Sequence, residues 1–159
     1  MLRVAGFLDH SNVNGEGFRS TLFLSGCSHN CPGCHNLEMQ SFDYGDLVPI
    51  ATIVEKIKKN MPLIDGVTIS GGEPFEQADQ LYELLLAIKS LGLSIWIYTG
   101  YCYEELCNDS VKASLLPFVD VLVDGQYIST LACSDLYIGS SNQRILKLSD
   151  GKIERLLHY

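Results

Sequence analysis

The chain has 159 residues, 47% of them hydrophobic and 19% charged, the composition of one ordinary globular domain rather than a disordered or fibrous chain. A complete eight-stranded α/β barrel takes roughly 250 residues and about 200 at the least, so any barrel-like plan here is a partial one. With 11 Lys and Arg against 19 Asp and Glu, the formal charge is −8, the wrong sign for gripping nucleic acid through its phosphates.

Residues 1–159 read as a single domain without repeats, low-complexity stretches or linkers. The N-terminus lacks the basic, apolar, small-residue order of a signal peptide, since Asp9, His10 and Asn12 interrupt it early, so a cytoplasmic location is expected. The uncharged stretch Ser90 to Tyr103 is too short to span a bilayer, and no membrane segment is expected. The first strong apolar run, Thr21 to Ser25, reads as a buried strand ended by Gly26. Behind Pro49, the spacing of Ile50, Ile53, Val54 and Ile57 predicts an amphipathic helix. Lys56, Lys58 and Lys59 lie near its end as a solvated, dipole-complementing group, and Pro62 stops it. Gly66 to Ser70 is a short strand closed by Gly71-Gly72. Phe75, Ala78, Leu81, Leu84, Leu85, Ile88 and Leu91 then mark a second helix ended by Gly92. Leu93 to Tyr98 and Val119 to Val123 are further strands, stopped by Gly100 and by Asp124-Gly125, with a short helix from Tyr103 to Cys107. No element is assigned beyond Gly125.

Near-continuous apolar strands alternating with helices predict an α/β fold, a partial (β/α) barrel open on one side, with a mainly parallel sheet and helices outside. Ligand sites in such sheets lie beyond the carboxyl ends of the strands. The cysteine loop after Ser25, the Gly71 to Pro74 turn, Thr99-Gly100 and Asp124-Gly125 each follow a strand, so all four are expected on one face.

Six cysteines stand at 27, 31, 34, 102, 107 and 133, and the crowding of the first three points to metal rather than to a disulfide framework. Cys27, Cys31 and Cys34 form a C-x3-C-x2-C loop. Such a loop can hold three irons of a [4Fe–4S] cluster and leave the fourth open to a small molecule. A chain of this length can bury roughly 70% of its unfolded surface, so a cluster would serve function rather than folding. The competing reading is a zinc site with His29 or His35 as fourth ligand. Gly71-Gly72-Glu73-Pro74 offers side-chain-free backbone to a ligand, with Glu73 as an added acceptor. Alone, it is equally a strand-to-helix turn with Pro74 at the first helical position.

Together the two motifs resemble the radical S-adenosylmethionine superfamily. The resemblance implies that Cys27, Cys31 and Cys34 bind the cluster and that its open iron chelates the amino and carboxylate groups of the methionine part. It also implies that Gly33, Cys34, His35, Gly71, Gly72, Glu73 and Pro74 contact S-adenosylmethionine, the turn meeting the ammonium through backbone carbonyls. Gly33 stands where superfamily members commonly carry an aromatic residue, so that position offers no side chain to the adenine. His35 stands where a Tyr is frequent.

Residues 14–19 (NGEGFR), 22–27 (LFLSGC), 31–36 (CPGCHN), 96–101 (WIYTGY), 123–125 (VDG) and 139–144 (GSSNQR) are similar to the activating proteins of anaerobic ribonucleoside-triphosphate reductases. The likeness runs from about residue 12 to 146, and GSSNQR is its most discriminating part. It implies an oxidoreductase that reductively cleaves S-adenosylmethionine and generates a glycyl radical on the large subunit of an anaerobic class III reductase. The electron would come from a low-potential donor such as flavodoxin. A different substrate, either another glycyl-radical enzyme or a deazapurine precursor, is the alternative that GSSNQR argues against; a zinc-stapled adaptor is the one that GGEP argues against.

Cys102, Cys107 and Cys133 fall in none of these motifs and read as ordinary thiols. His10 and His158 lie near the termini, while His29 and His35 border the cysteine loop, placed to tune it by hydrogen bonding. Asp124 reads as a turn residue or a ribose or partner contact. Arg19 and Arg144 read either as partners of a carboxylate or as surface arginines.

Overall fold

The computed structural model describes residues Met1–Tyr159. Its strands are β1 (Leu2–Ser11), β2 (Arg19–Leu24), β3 (Asp46–Val48), β4 (Gly66–Gly71), β5 (Ser94–Tyr98), β6 (Val121–Asp124), β7 (Arg144–Ser149) and β8 (Lys152–Leu157). Helices are α1 (Ile50–Asn60), α2 (Ala78–Ser90), α3 (Tyr103–Cys107) and α4 (Ser110–Ala113). All strands join one 8-stranded sheet in the order β3-β1-β2-β4-β5-β6-β7-β8. No helix is long and apolar enough to cross a membrane.

The expected helix-surrounded, mainly parallel partial barrel is not what forms. Parallel pairing is confined to β2 with β4, β4 with β5, and β5 with β6. On one flank β1 pairs antiparallel with both β2 and β3, and on the other β7 pairs antiparallel with β6 and β8, so the sheet is mixed and antiparallel pairings predominate. Helices, short 3-10 turns included, make up 31% of the chain, and α3 and α4 span 5 and 4 residues.

The physical reason lies in the flanking strands. β1 (LRVAGFLDHS) is half-buried along most of its length and β8 (KIERLL) is exposed along nearly all of its length. Edge and near-edge strands need no continuous apolar run, and that run was the signal used to find the inner ones. Asp150 and Gly151, both at positive φ (51° and 78°), close the β7–β8 hairpin with the Asp-Gly pair that a two-residue turn matching the sheet twist favours.

The inner strands carry apolar side chains on both faces. Leu22, Leu24, Val67, Ile69, Ile95, Ile97 and Leu122 pack with Ile53 and Ile57 of α1 and Leu81, Leu84, Leu85 and Ile88 of α2 in one core. Trp96, Val121, Val123 and Ile145 form a second cluster with Tyr98 and Tyr137 packed on it. Each fully buried Leu or Ile contributes about 1.5–3 kcal/mol, which holds the strand ends, and the loops leaving them, in fixed register.

Arg19 opens β2 at the end away from the cysteine loop and is 2% exposed. Its guanidinium donates to Thr68 Oγ1, the Glu16 carbonyl, Ser94 Oγ and the carbonyls of Val67 and Ser94 at 2.9–3.2 Å. Its Cζ also lies 5.7 Å from the centre of the Trp96 ring. Burial holds its pKa down to about 10, so it stays charged at neutral pH. Neither a surface arginine nor a carboxylate partner, Arg19 ties the first ends of β2, β4 and β5 together. Arg19→Ala, which strands several buried acceptors, is expected to cost about 3 kcal/mol in urea denaturation while the folded fraction binds iron as the parent does.

Candidate functional site

The carboxyl ends of β2, β4, β5 and β6 meet at a cleft of about 210 Å³ lined by Cys27, Cys31 and Cys34, by Gly71 and Gly72, and by Thr99, Gly100 and Gly125. The cysteine loop, the glycine turn and the loops after β5 and β6 therefore share one face. Asp124 itself does not reach the cleft. It is buried and accepts from Tyr103 N and Arg144 Nε (2.8 and 3.0 Å), and Arg144 Nη2 also pairs with Glu104 at 2.8 Å. Both residues are thus engaged in a structural ion-pair cluster.

The cysteine loop is built on main-chain bonds. Gly26 N and Cys27 N donate to the carbonyls of Met39 and Gln40 (2.8 and 3.0 Å), and Cys34 N donates to that of Cys31 (3.1 Å). Gly26 sits at φ 100°, and a Cβ there would meet the Phe42 ring at 2.4 Å, so only glycine lets the chain turn under that ring. On the other side Gly72 N donates to the Leu24 carbonyl and Glu73 N to that of Gly26 (2.7 and 2.8 Å). A Cβ on Gly72 would lie 2.6–2.7 Å from the Met39 and Gly26 carbonyl oxygens, so the Gly-Gly pair is what lets the two loops touch.

Glu73 is fully buried and does not serve the cleft as the side-chain acceptor that the sequence suggested. Its Oε1 accepts from His29 Nε2 (2.8 Å), Gly100 N (2.7 Å) and Thr99 Oγ1 (2.9 Å), and its Oε2 from Phe75 N (3.0 Å) and the same hydroxyl (2.9 Å). Pro74 is buried beside it. The hydrogen bond to Glu73 raises the His29 pKa above the ordinary histidine value. Of the other residues implicated in binding, Cys34, His35, Gly71 and Gly72 line the cleft, while Gly33, at φ 75°, faces Ser129 and Tyr127.

Sequence reasoning did not single out Tyr98, Tyr127, Asn36 and Gln143 as cleft residues. Asn36 donates from its Nδ2 to the Gly71 carbonyl (3.2 Å) and from its backbone N to Cys34 Sγ (3.4 Å). Gln143 clasps the loop after β6, donating to the Gly125 carbonyl and accepting from Gly139 N and Ser140 N. The signal for Gln143 was present, as it sits inside the discriminating GSSNQR segment.

All six cysteines are free thiols. Burial pushes Cys27 up to about 11 and moves Cys31 upward as well, so a cation has to be present for their thiolates to persist at neutral pH. A single zinc ion takes four ligands in a tetrahedron, and the cleft lining offers Cys27, Cys31 and Cys34 with His29 and His35 beside them. Three soft thiols spread around one cleft fit a multi-iron cluster, in which each thiolate binds a different iron. Cys102 and Cys107 are exposed and Cys133 half-buried, and none of them lines the cleft.

Residues 13–146 match the family model of a 4Fe-4S single cluster domain. The anaerobic ribonucleoside-triphosphate reductase-activating protein of Pasteurella multocida is 37% identical over 146 residues, 86% of this chain and 92% of that protein. Its namesake from Enterobacteria phage T4 is 33% identical over 144 residues, 87% of this chain and 90% of that protein. That of Escherichia coli K12 is 34% identical over 139 residues, 82% and 89%. The chain belongs to this family. The likeness to these activating proteins is therefore established over most of its length, and the matched region contains the cysteine loop, the glycine turn and the GSSNQR segment.

Within this family member, Glu73→Gln is the most economical probe of the site's frame. The amide must turn an N–H toward one of the donors that Glu73 now satisfies. A loss of about 1–3 kcal/mol is expected in thermal or urea unfolding of the metal-free chain.

Proposed function

We propose that this chain is a radical S-adenosylmethionine activase that holds a [4Fe–4S] cluster on Cys27, Cys31 and Cys34 and generates the glycyl radical on the large subunit of an anaerobic class III ribonucleoside-triphosphate reductase. The observation that carries the reading is the placement of three free thiols and the Gly71-Gly72 turn around one cleft. When bound, the cluster supplies one electron to the sulfonium of S-adenosylmethionine, which cleaves to methionine and a 5′-deoxyadenosyl radical able to take a hydrogen atom from glycine.

The chain's own residues do the holding and orienting. The carbonyls of Gly71, which also accepts from Asn36, and Gly72 are the acceptors we assign to the methionine ammonium. Main-chain and side-chain N–H groups around the thiols, such as Asn36 N on Cys34 Sγ, raise the cluster's potential, whereas burial under a docked partner lowers it. His35, exposed at the rim of the cleft, packs its ring 4.8 Å from that of Tyr127. The reductant we infer is a low-potential carrier such as flavodoxin, and the setting a reducing cytoplasm, in keeping with six free thiols.

Anaerobic reconstitution with iron and sulfide, followed by reduction and assay for 5′-deoxyadenosine, tests the proposal with and without the reductase. Four irons per chain, nucleoside release and a glycine radical signal on the reductase are expected. A colourless protein holding one zinc would overturn the cluster, and cleavage without a reductase radical would remove the assigned partner. Cys31→Ala is expected to abolish cluster binding and cleavage in a chain that still folds, because the core does not involve the loop.

A further inference from the structure

His29 lies between the first two cysteines of the loop, yet its side chain is only 8% exposed. Every side of the ring is engaged. Nε2 faces Glu73 Oε1 at 2.8 Å, and Nδ1 faces Gln126 Nε2 at 3.3 Å. The Tyr101 ring stands edge-on with centroids 4.5 Å apart. A Cβ on Gly100 would come within 2.6 Å of its Cδ2, so the ring rests directly on the backbone that follows β5. The same Glu73 carboxylate is held by Thr99, Gly100 and Phe75. One imidazole therefore links the cysteine loop to the glycine turn, to the end of β5 and to the loop after β6.

We propose that His29 is a positioning residue that fixes the middle of the cysteine loop, between Cys27 and Cys31, relative to Glu73 behind the Gly71-Gly72 turn, so that one ligand can bind loop and turn at once. This inference rests on the function proposed above, in which S-adenosylmethionine spans the open iron and the turn. A ligand that bridges two loops binds tightly only if their separation is set beforehand, since any freedom between them is lost on binding. Other ties hold the loop without His29: Ser28 Oγ donates to Glu76 Oε1 (2.8 Å), Asn36 Nδ2 to the Gly71 carbonyl, and Cys27 N to the Gln40 carbonyl. These ties and the three thiols keep the cluster in place when the imidazole is removed. What is lost is the link between the middle of the loop and Glu73.

The test uses the full chain, reconstituted anaerobically, as wild type, His29→Ala and His29→Gln. The electron paramagnetic resonance spectrum of the reduced cluster is followed through a titration with S-adenosylmethionine, alongside iron content and Tm. The alanine variant is expected to hold the same iron, show the same spectrum before addition, and need at least roughly tenfold more S-adenosylmethionine to reach the bound spectrum, because the loop must then be ordered when the ligand binds. Glutamine, whose amide nitrogen also donates to Glu73, is expected to recover most of that loss. An alanine variant that responds at the wild-type concentration overturns the inference, as does a glutamine variant as impaired as alanine. Loss of iron in both variants overturns it too, because it would make His29 a residue of loop folding alone. A wild-type cluster indifferent to S-adenosylmethionine overturns the proposed function and this inference together.

Discussion

The site depends on one buried carboxylate. Glu73 is fully withdrawn from water, and an ion or polar group so placed costs several kcal/mol unless donors replace its hydration. Four groups from three loops do so: His29 Nε2, Thr99 Oγ1, Gly100 N and Phe75 N. Each bond is modest by itself, at about 1.5–3 kcal/mol to a charged group. The carboxylate nevertheless makes them act together, since each donor lost leaves a buried acceptor with fewer partners and no water to replace them. The requirement that the acid be satisfied thus becomes a requirement that the cysteine loop, the glycine turn and the end of β5 come together.

The sheet makes that requirement easy to meet. Parallel pairing of β2, β4 and β5 in the registers Leu24↔Gly71 and Ile69↔Ile97 brings their carboxyl ends level. Glycine at 26, 71, 72 and 100 removes the side chains that would keep the loops apart. The antiparallel strands on either flank extend the sheet beyond this parallel centre, and the segment after β6 returns Gln143 to the cleft before β7 begins. Arg19 performs a comparable task at the other end of the same strands, with carbonyl and hydroxyl acceptors around a buried cation. A buried acid at one end and a buried base at the other, each met by groups from neighbouring strands, pin the parallel centre of the sheet.

The inner elements were legible because their burial leaves a strong pattern. α1 and the strands around Leu22, Ile69, Ile97 and Leu122 lie where apolar runs and helical spacing put them. The flanking strands were not, because β1 is interrupted by Gly6 and Arg3 and β8 mixes charged and apolar residues without alternation on an exposed edge. That omission produced the wrong architecture, a parallel barrel in place of a mixed sheet. The three cysteines and the two glycines, which line one cleft, stood out in the sequence because their chemistry is rare at such spacing. Glu73 was read as an added acceptor for a ligand and His29 as a zinc ligand or a tuner of the cysteine loop; that the two bond to each other was not legible, because a sequence shows neither burial nor the partner 44 residues away. Arg19 and Arg144 show the converse: each has the chemistry of a carboxylate binder, and each is occupied by the fold itself.

If the acid assembles the site before any metal arrives, the metal-free chain already carries its signature. Amide hydrogen exchange measured residue by residue on the iron-free protein is the most direct measurement. The amides of Phe75 and Gly100, both bonded to the Glu73 carboxylate, and that of Cys27, bonded to the Gln40 carbonyl, are predicted to exchange slowly, near the rates of the adjoining strand ends. Exchange of these three at the rate of an unstructured chain, with the β4 and β5 amides still protected, would contradict the account.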